Sequence, residues 1–222
     1  MPAVTKIRQT RAGRIRITLD DQIELDLSAA AAERHDLYAG RQLDEAEADA
    51  LHGAAKHEEA TRAALRFLSY RPRSRLELER YLRGKTYGPD VVAAVVTSCA
   101  DSGHLDDGAF ALAFALDRIR LSPRGTWRLE AELRQRGVPA ATAEAAVGRA
   151  LAEEELTERD LLERVARRRW DRVSSLEPAV ARRRLDAFLR RRGFPADGIA
   201  DVIRDLIQRS PAPQGGDDAS TH

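Results

Sequence analysis

One helical pattern recurs three times in this chain, and that recurrence limits the fold more than any other feature of its 222 residues. The clearest copy is Arg71-Pro72-Arg73-Ser74-Arg75-Leu76-Glu77-Leu78-Glu79-Arg80-Tyr81-Leu82. Ser74 followed by Glu77 fits a capping box, in which the serine side chain accepts the Glu77 N–H and the glutamate reaches back to the Ser74 N–H. Pro72 biases Arg71 away from helix and so marks the start. Leu78, Tyr81 and Leu82 then share one apolar face. A shift of 51 residues carries Leu78 and Leu82 onto Leu129 and Leu133. A further shift of 56 carries these onto Leu185 and Leu189, and Arg136-Gly137-Val138-Pro139 onto Arg192-Gly193-Phe194-Pro195. The copies differ where chemistry would lie: Ser74 becomes Gly125 and then Ala181, and Glu77 becomes Arg128 and then Arg184.

Each copy is flanked by two further apolar stripes at helical spacing. In the first unit these are Ala63, Ala64, Phe67 and Leu68 before it, and Val91, Val92, Val95 and Val96 after it. Residues 4 to 27 instead alternate apolar and polar, with Asp20-Asp21 reading as a tight turn, so a small sheet with one or two helices should precede the repeats. The expected fold is mainly α: three tandem three-helix repeats in an elongated, curved array, preceded by a small β-sheet plus helix module. The expected divisions are 1–59 for the module, 60–103, 104–152 and 153–209 for the repeats, and 210–222 for a disordered tail without an apolar stripe.

Aromatic residues make up only 5% of the chain, so the core must be Ala, Leu and Val, a composition that favours helix. The net charge of +1 conceals a division: residues 1–59 carry 8 basic and 12 acidic side chains, whereas residues 60–103 carry 8 basic and 4 acidic. Lysine occurs only at Lys6, Lys56 and Lys85, leaving arginine as the working cation; a GC-rich coding sequence yields the same bias. Cys99 is the only cysteine and sits in an apolar run, which excludes an intramolecular disulfide and suggests a buried thiol. Neither a secretory leader nor a membrane-length apolar run is apparent, so the expected location is the cytoplasm.

Enzymatic chemistry finds little support. Gly84-Lys85-Thr86 resembles the end of a P-loop, but Glu79 stands where its first glycine belongs. The five histidines show no metal-ligand spacing, and Asp106-Asp107 is better explained as a helix cap than as a catalytic pair. No catalytic residue, metal or cofactor is expected. What remains is arginine flanking the middle helices: Arg71, Arg73, Arg75, Arg80, Arg83 and Lys85 in the first repeat, and Arg118, Arg120, Arg124, Arg128, Arg134 and Arg136 in the second. The third carries Arg182 to Arg184 and Arg190 to Arg192. A basic stripe of this kind suits a phosphate backbone or an acidic protein groove. The bland alternative is a set of solvated faces with local ion pairs such as Glu77 with Arg80. A three-helix unit with a turn before its third helix also admits a helix-turn-helix DNA-binding regulator.

Three blocks of residues resemble the RecX family, regulators of the bacterial recombinase RecA. They are Ala64-Leu65-x-Phe67-Leu68-Ser69-x-Arg71-x-Arg73-Ser74-x-x-Glu77-Leu78-x-x-Tyr81-Leu82, Gly103-His104-Leu105-Asp106-Asp107-x-x-Phe110-Ala111, and Arg124-Gly125-x-x-x-Leu129-x-x-Glu132-Leu133-x-x-x-Gly137-Val138. The resemblance spans about residues 60 to 209 and is weakest in the third repeat. It implies repeats that lie in the groove of the RecA–DNA filament, restrain its extension or promote its disassembly, and lower its ATP hydrolysis, strand exchange and co-protease activity in DNA repair and the SOS response. It also implies RecA and the filament as partners; the chain is further expected to be a monomer without a membrane role, and weak, non-specific DNA binding is compatible with the arginine face.

Overall fold

Three strands precede ten helices in a computed structural model of the chain, which describes residues 1–209; the expected tail at 210–222 lies outside the described residues. The described chain separates into two units, Met1–Asp106 and the segment from Asp107 onward.

In the first unit the alternating segment forms an antiparallel sheet, β1 (Val4–Gln9), β2 (Ile15–Leu19) and β3 (Ile23–Leu27), in sequential order. Asp20 and Asp21 form the turn between β2 and β3 with φ of 48° and 56°, a left-handed pair suited to a type I′ hairpin. Val4, Ile17, Leu19 and Leu27 point from the sheet into a core completed by Ala31 of α1 (Ala29–Arg34) and by Ala48, Leu51 and Ala55 of α2 (Glu45–Leu68). Ile23 is left exposed, so the period-2 pattern overstates burial at the β3 end.

Helix α2 is 24 residues long and begins with a complete capping box between Asp44 and Glu47. It runs without a break through the expected division at residue 59, because Glu58-Glu59-Ala60-Thr61 contains no helix breaker. Its N-terminal half serves the sheet. Its C-terminal half supplies Ala60 and Ala64 to a second core, with Leu78 and Leu82 of α3 (Arg75–Gly84), Val92, Val95, Val96 and Cys99 of α4 (Pro89–Asp101), and Leu105. Burial raises the Cys99 thiol above its ordinary pKa, as expected for an inert core cysteine. Glu58 ties the module together, accepting from Ser28 N at 2.7 Å, Ser28 Oγ at 2.6 Å and Arg14 Nη2 at 2.6 Å.

The second unit contains α5 (Asp107–Leu121), α6 (Thr126–Gln135) and α7 (Ala140–Glu153), then α8 (Glu158–Trp170), α9 (Pro178–Arg191) and α10 (Ala196–Arg209). The two repeats do not bury separate cores. Ala111, Ile119, Leu129, Leu133 and Val147 join Leu161, Leu162, Leu185, Leu189 and Ile199 in one cluster. The backbone is locked across the repeats as well: Gly125 N donates to Arg192 O at 3.0 Å, and the Glu158 carboxylate accepts from Thr126 N and Oγ1 at 2.8 and 2.9 Å. Gly125 is required there, because a Cβ would lie 2.1 Å from the Gly193 carbonyl oxygen.

Candidate basic interface

The serine half of the capping box on α3 is present, with Glu77 N donating to Ser74 Oγ at 3.1 Å. The Glu77 carboxylate faces the incoming loop and lies 3.2 Å from Arg71 and 3.8 Å from Arg73. The local pair of Glu77 with Arg80, the example given for a merely solvated face, is not formed among the described residues. Glu77 sits in the first turn, where Arg71 and Arg73 approach it from the loop, whereas Arg80 lies exposed with no ion pair among the described residues.

Arg73 also stacks on Phe67 at 4.1 Å; Phe67 lies parallel to Tyr81 at 4.1 Å, and Lys85 stands over Tyr81 at 5.4 Å. Two cations thus cover the outer faces of an aromatic pair, an arrangement that holds them in defined positions. Burial and the neighbouring Arg71 charge lower the Arg73 pKa. Arg83 pairs with Glu79 at 3.6 Å, and Arg75 is exposed at the start of α3.

In the second repeat the position equivalent to Tyr81 is Glu132, which is 7% exposed. Its carboxylate pairs with Arg124, with Arg128 at 3.1 Å and with Arg118 at 3.6 Å, while Arg136 Nη1 donates to its backbone carbonyl at 2.9 Å. Arg118 and Arg136 both stand 4.5 Å from the centre of the Phe114 ring. Burial, then repulsion from Arg118, Arg128, Arg192 and Arg136, lowers the Arg124 pKa, so one carboxylate holds together more positive charge than it neutralises. Arg120 and Arg134 stand apart from this cluster, paired with Glu154 at 2.7 Å and Glu130 at 3.8 Å.

The second-repeat candidates therefore divide into a four-arginine cluster on Glu132 and two arginines with partners of their own. Sequence reasoning overlooked Glu132 as their organiser. The signal was available: the repeat alignment puts a carboxylate where the flanking copies have Tyr81 and Phe188. Also overlooked were Arg168, Arg169 and Arg172, which border an open cleft of about 220 Å³ with Arg192. Among the described residues no group of His, Cys, Asp and Glu is arranged to hold a metal ion, and no helix is long and apolar enough to cross a membrane.

Sequence profiles described as RecX, first, second and third three-helix domain match residues 60–99, 106–147 and 157–203. The regulatory protein RecX of Bacillus subtilis (strain 168) is 28% identical over 208 residues, covering 93% of this chain and 78% of that protein. The regulatory protein RecX of Thermobifida fusca (strain YX) is 36% identical over 161 residues, covering 68% and 84% respectively. A crystal structure of a regulatory protein RecX shares the fold at a TM-score of 0.72 and 22% identity, over 92% of this chain and 100% of that one.

Proposed function

The chain belongs to the RecX family, and from that premise we propose that it is a non-enzymatic regulator of the recombinase RecA that engages the RecA–DNA filament through its arginine-bearing middle helices. On this reading it inhibits filament extension, and with it ATP hydrolysis, strand exchange and co-protease activity, and it works in the cytoplasm as a monomer. The observation that carries the proposal is the treatment of positive charge at α3 and α6. Two arginines share Glu77, and three share the buried Glu132, so each helix presents a preorganised excess of guanidinium to a polyanionic or acidic partner.

The test is ATP hydrolysis by RecA on single-stranded DNA with the purified chain added at stoichiometric levels. Inhibition is expected, and an undiminished rate overturns the reading. Arg80→Glu is the cleanest variant, because Arg80 is exposed and no ion pair within the described residues is lost with it. It should weaken inhibition several-fold at low salt and less at high salt, as expected for a screened surface charge. Arg71→Glu and Arg73→Glu should act in the same direction, with added instability from repulsion against Glu77.

A further inference from the structure

The cleft lined by the end of α5, by α8 with the turn after it, and by α9 gathers positive charge that nothing in its lining neutralises. Arg168, Arg169, Arg172 and Arg192 border it, and its lining contains no acidic residue. None of the four has an ion pair among the described residues, whereas Arg159, Arg167 and Arg190 on the same helices are each held by a carboxylate. Two of the four are fixed in place: Arg169 and Arg192 each stand 5.1 Å from the centre of the Phe188 ring, and Arg192 Nη1 donates to Pro123 O at 3.0 Å. Arg169 Nε is buried with no hydrogen-bond acceptor among the described residues. A pair of carboxylates would relieve the repulsion within such a set.

The chain carries such a pair of its own. Beyond Arg209, residues 210–222 include Asp217 and Asp218 side by side and no lysine or arginine. Helix α10 brings that segment to the right neighbourhood. Asp205 of α10 lies 3.3 Å from Arg159 of α8, Arg209 and Arg167 line one surface depression, and Arg167 directly precedes Arg168. Eight residues lead from Arg209 to Asp217, a length that reaches about 26 Å when extended, whereas the whole of α8 rises only about 20 Å. The cleft is therefore within reach from anywhere along α8, and the tether holds the aspartates at an effective concentration of about a millimolar. We propose that Asp217 and Asp218 dock in the arginine cleft of the same chain, an autoinhibitory contact that a polyanionic partner has to displace. Each carboxylate accepts charge-assisted hydrogen bonds from the guanidiniums. Two anions offset half of the cleft's four charges, and the remaining half still attracts a partner. Ion pairs in an open cleft are individually weak, so the cover is displaceable.

This contact does not rest on the RecA reading and is tested without RecA or nucleic acid. The full chain carries a nitroxide on Ser220→Cys, with Cys99→Ala removing the only native cysteine, and paramagnetic broadening of the arginine Nε–H signals is read by NMR. The signals of Arg168, Arg169, Arg172 and Arg192 should broaden far more than those of Arg182 and Arg183, which lie on α9 outside the cleft lining. Adding Asp217→Asn/Asp218→Asn, or raising the salt concentration, should remove the difference. Equal broadening at all six arginines, or none, would overturn the docking, as would broadening that survives the asparagine pair. Mixing spin-labelled chain with isotope-labelled chain that lacks the nitroxide separates copies: broadening in the latter would assign the contact to a second copy and overturn the contact in cis. Polyglutamate reads the consequence for a partner. Asp217→Asn/Asp218→Asn should bind it about fivefold more tightly than the unaltered chain, the effect of releasing two weak ion pairs, with no such gain when Arg168→Gln/Arg172→Gln is also present. A gain that persists without the cleft arginines would assign the effect to net charge and overturn the autoinhibition. Any of these failures leaves the RecA reading standing, and RecA hydrolysis undiminished by the chain would overturn that reading alone.

Discussion

Glu132 shows how much of the second repeat rests on one side chain. Buried at 7% exposure, it is the shared counter-charge of Arg118, Arg124 and Arg128. Glu132→Gln leaves those guanidiniums gathered without an anion, and breaking a buried charge set of this kind costs about 3 kcal/mol. Urea unfolding should show the fall in midpoint. Removing Glu79 or Glu130, partly exposed i,i+4 partners of Arg83 and Arg134, should change stability by less than about 0.5 kcal/mol. Glu58 gives the first unit a pH dependence. Burial alone would raise its pKa, but the bonds from Ser28 and Arg14 outweigh burial and hold it below the ordinary value. A lowered folded value contributes stability that is fully present above the unfolded pKa of about 4.3 and is lost as pH falls through the folded value. Wild type should therefore lose stability below about pH 4.5 more steeply than Glu58→Gln, which can be read from thermal unfolding as a function of pH.

Among the elements, α6 depends on a position where the repeat pattern shows only that Ser74 is replaced by glycine. Gly125 replaces Ser74 of the first repeat and caps α6 without a side-chain bond. Its role becomes visible only against Gly193, whose carbonyl oxygen occupies the space a Cβ would need. Gly125→Ala should therefore lower stability by about 2 kcal/mol through a forced backbone shift, measured by urea unfolding. Gly148→Ala is the control: it lies exposed within α7 with open space at Cβ, so the helix-propensity gain of about 0.5–1 kcal/mol should appear. Helix α2 carries the complementary lesson. The sequence shows the apolar stripe of its C-terminal half at Ala63, Ala64, Phe67 and Leu68, but that one unbroken helix serves two cores follows from the absence of any breaker near residue 59 and from where its faces find partners.

For the molecule, the way cores are shared matters more than the count of repeats. The first repeat closes a core of its own, whereas the second and third bury one cluster together. A fragment of residues 107–209 should accordingly unfold in one cooperative transition by circular dichroism, whereas residues 107–153 alone should show none, because Leu129, Leu133 and Ile119 lose the apolar partners they pack against. A cooperative transition in the shorter fragment would show that the second repeat is self-sufficient.

The sequence by itself determined the helices, their order and their buried faces, because 3.6-residue periodicity and a 51- then 56-residue repeat are local and can be counted. It also located the arginines. Tertiary structure decided what each arginine does, since charge partners come from outside the repeat pattern: Arg71 and Arg73 reach Glu77 from the loop, Glu132 collects three cations from two helices and a turn, and Arg192 reaches back to Pro123. The cleft at Arg168, Arg169 and Arg172 is of the same kind. Nothing in the spacing of those residues announces a cavity, because most of the rest of its lining comes from residues 121–123 and from Phe188 and Arg192, far along the chain. Burial patterns are written along one element at a time; ion pairing and clefts depend on which elements meet.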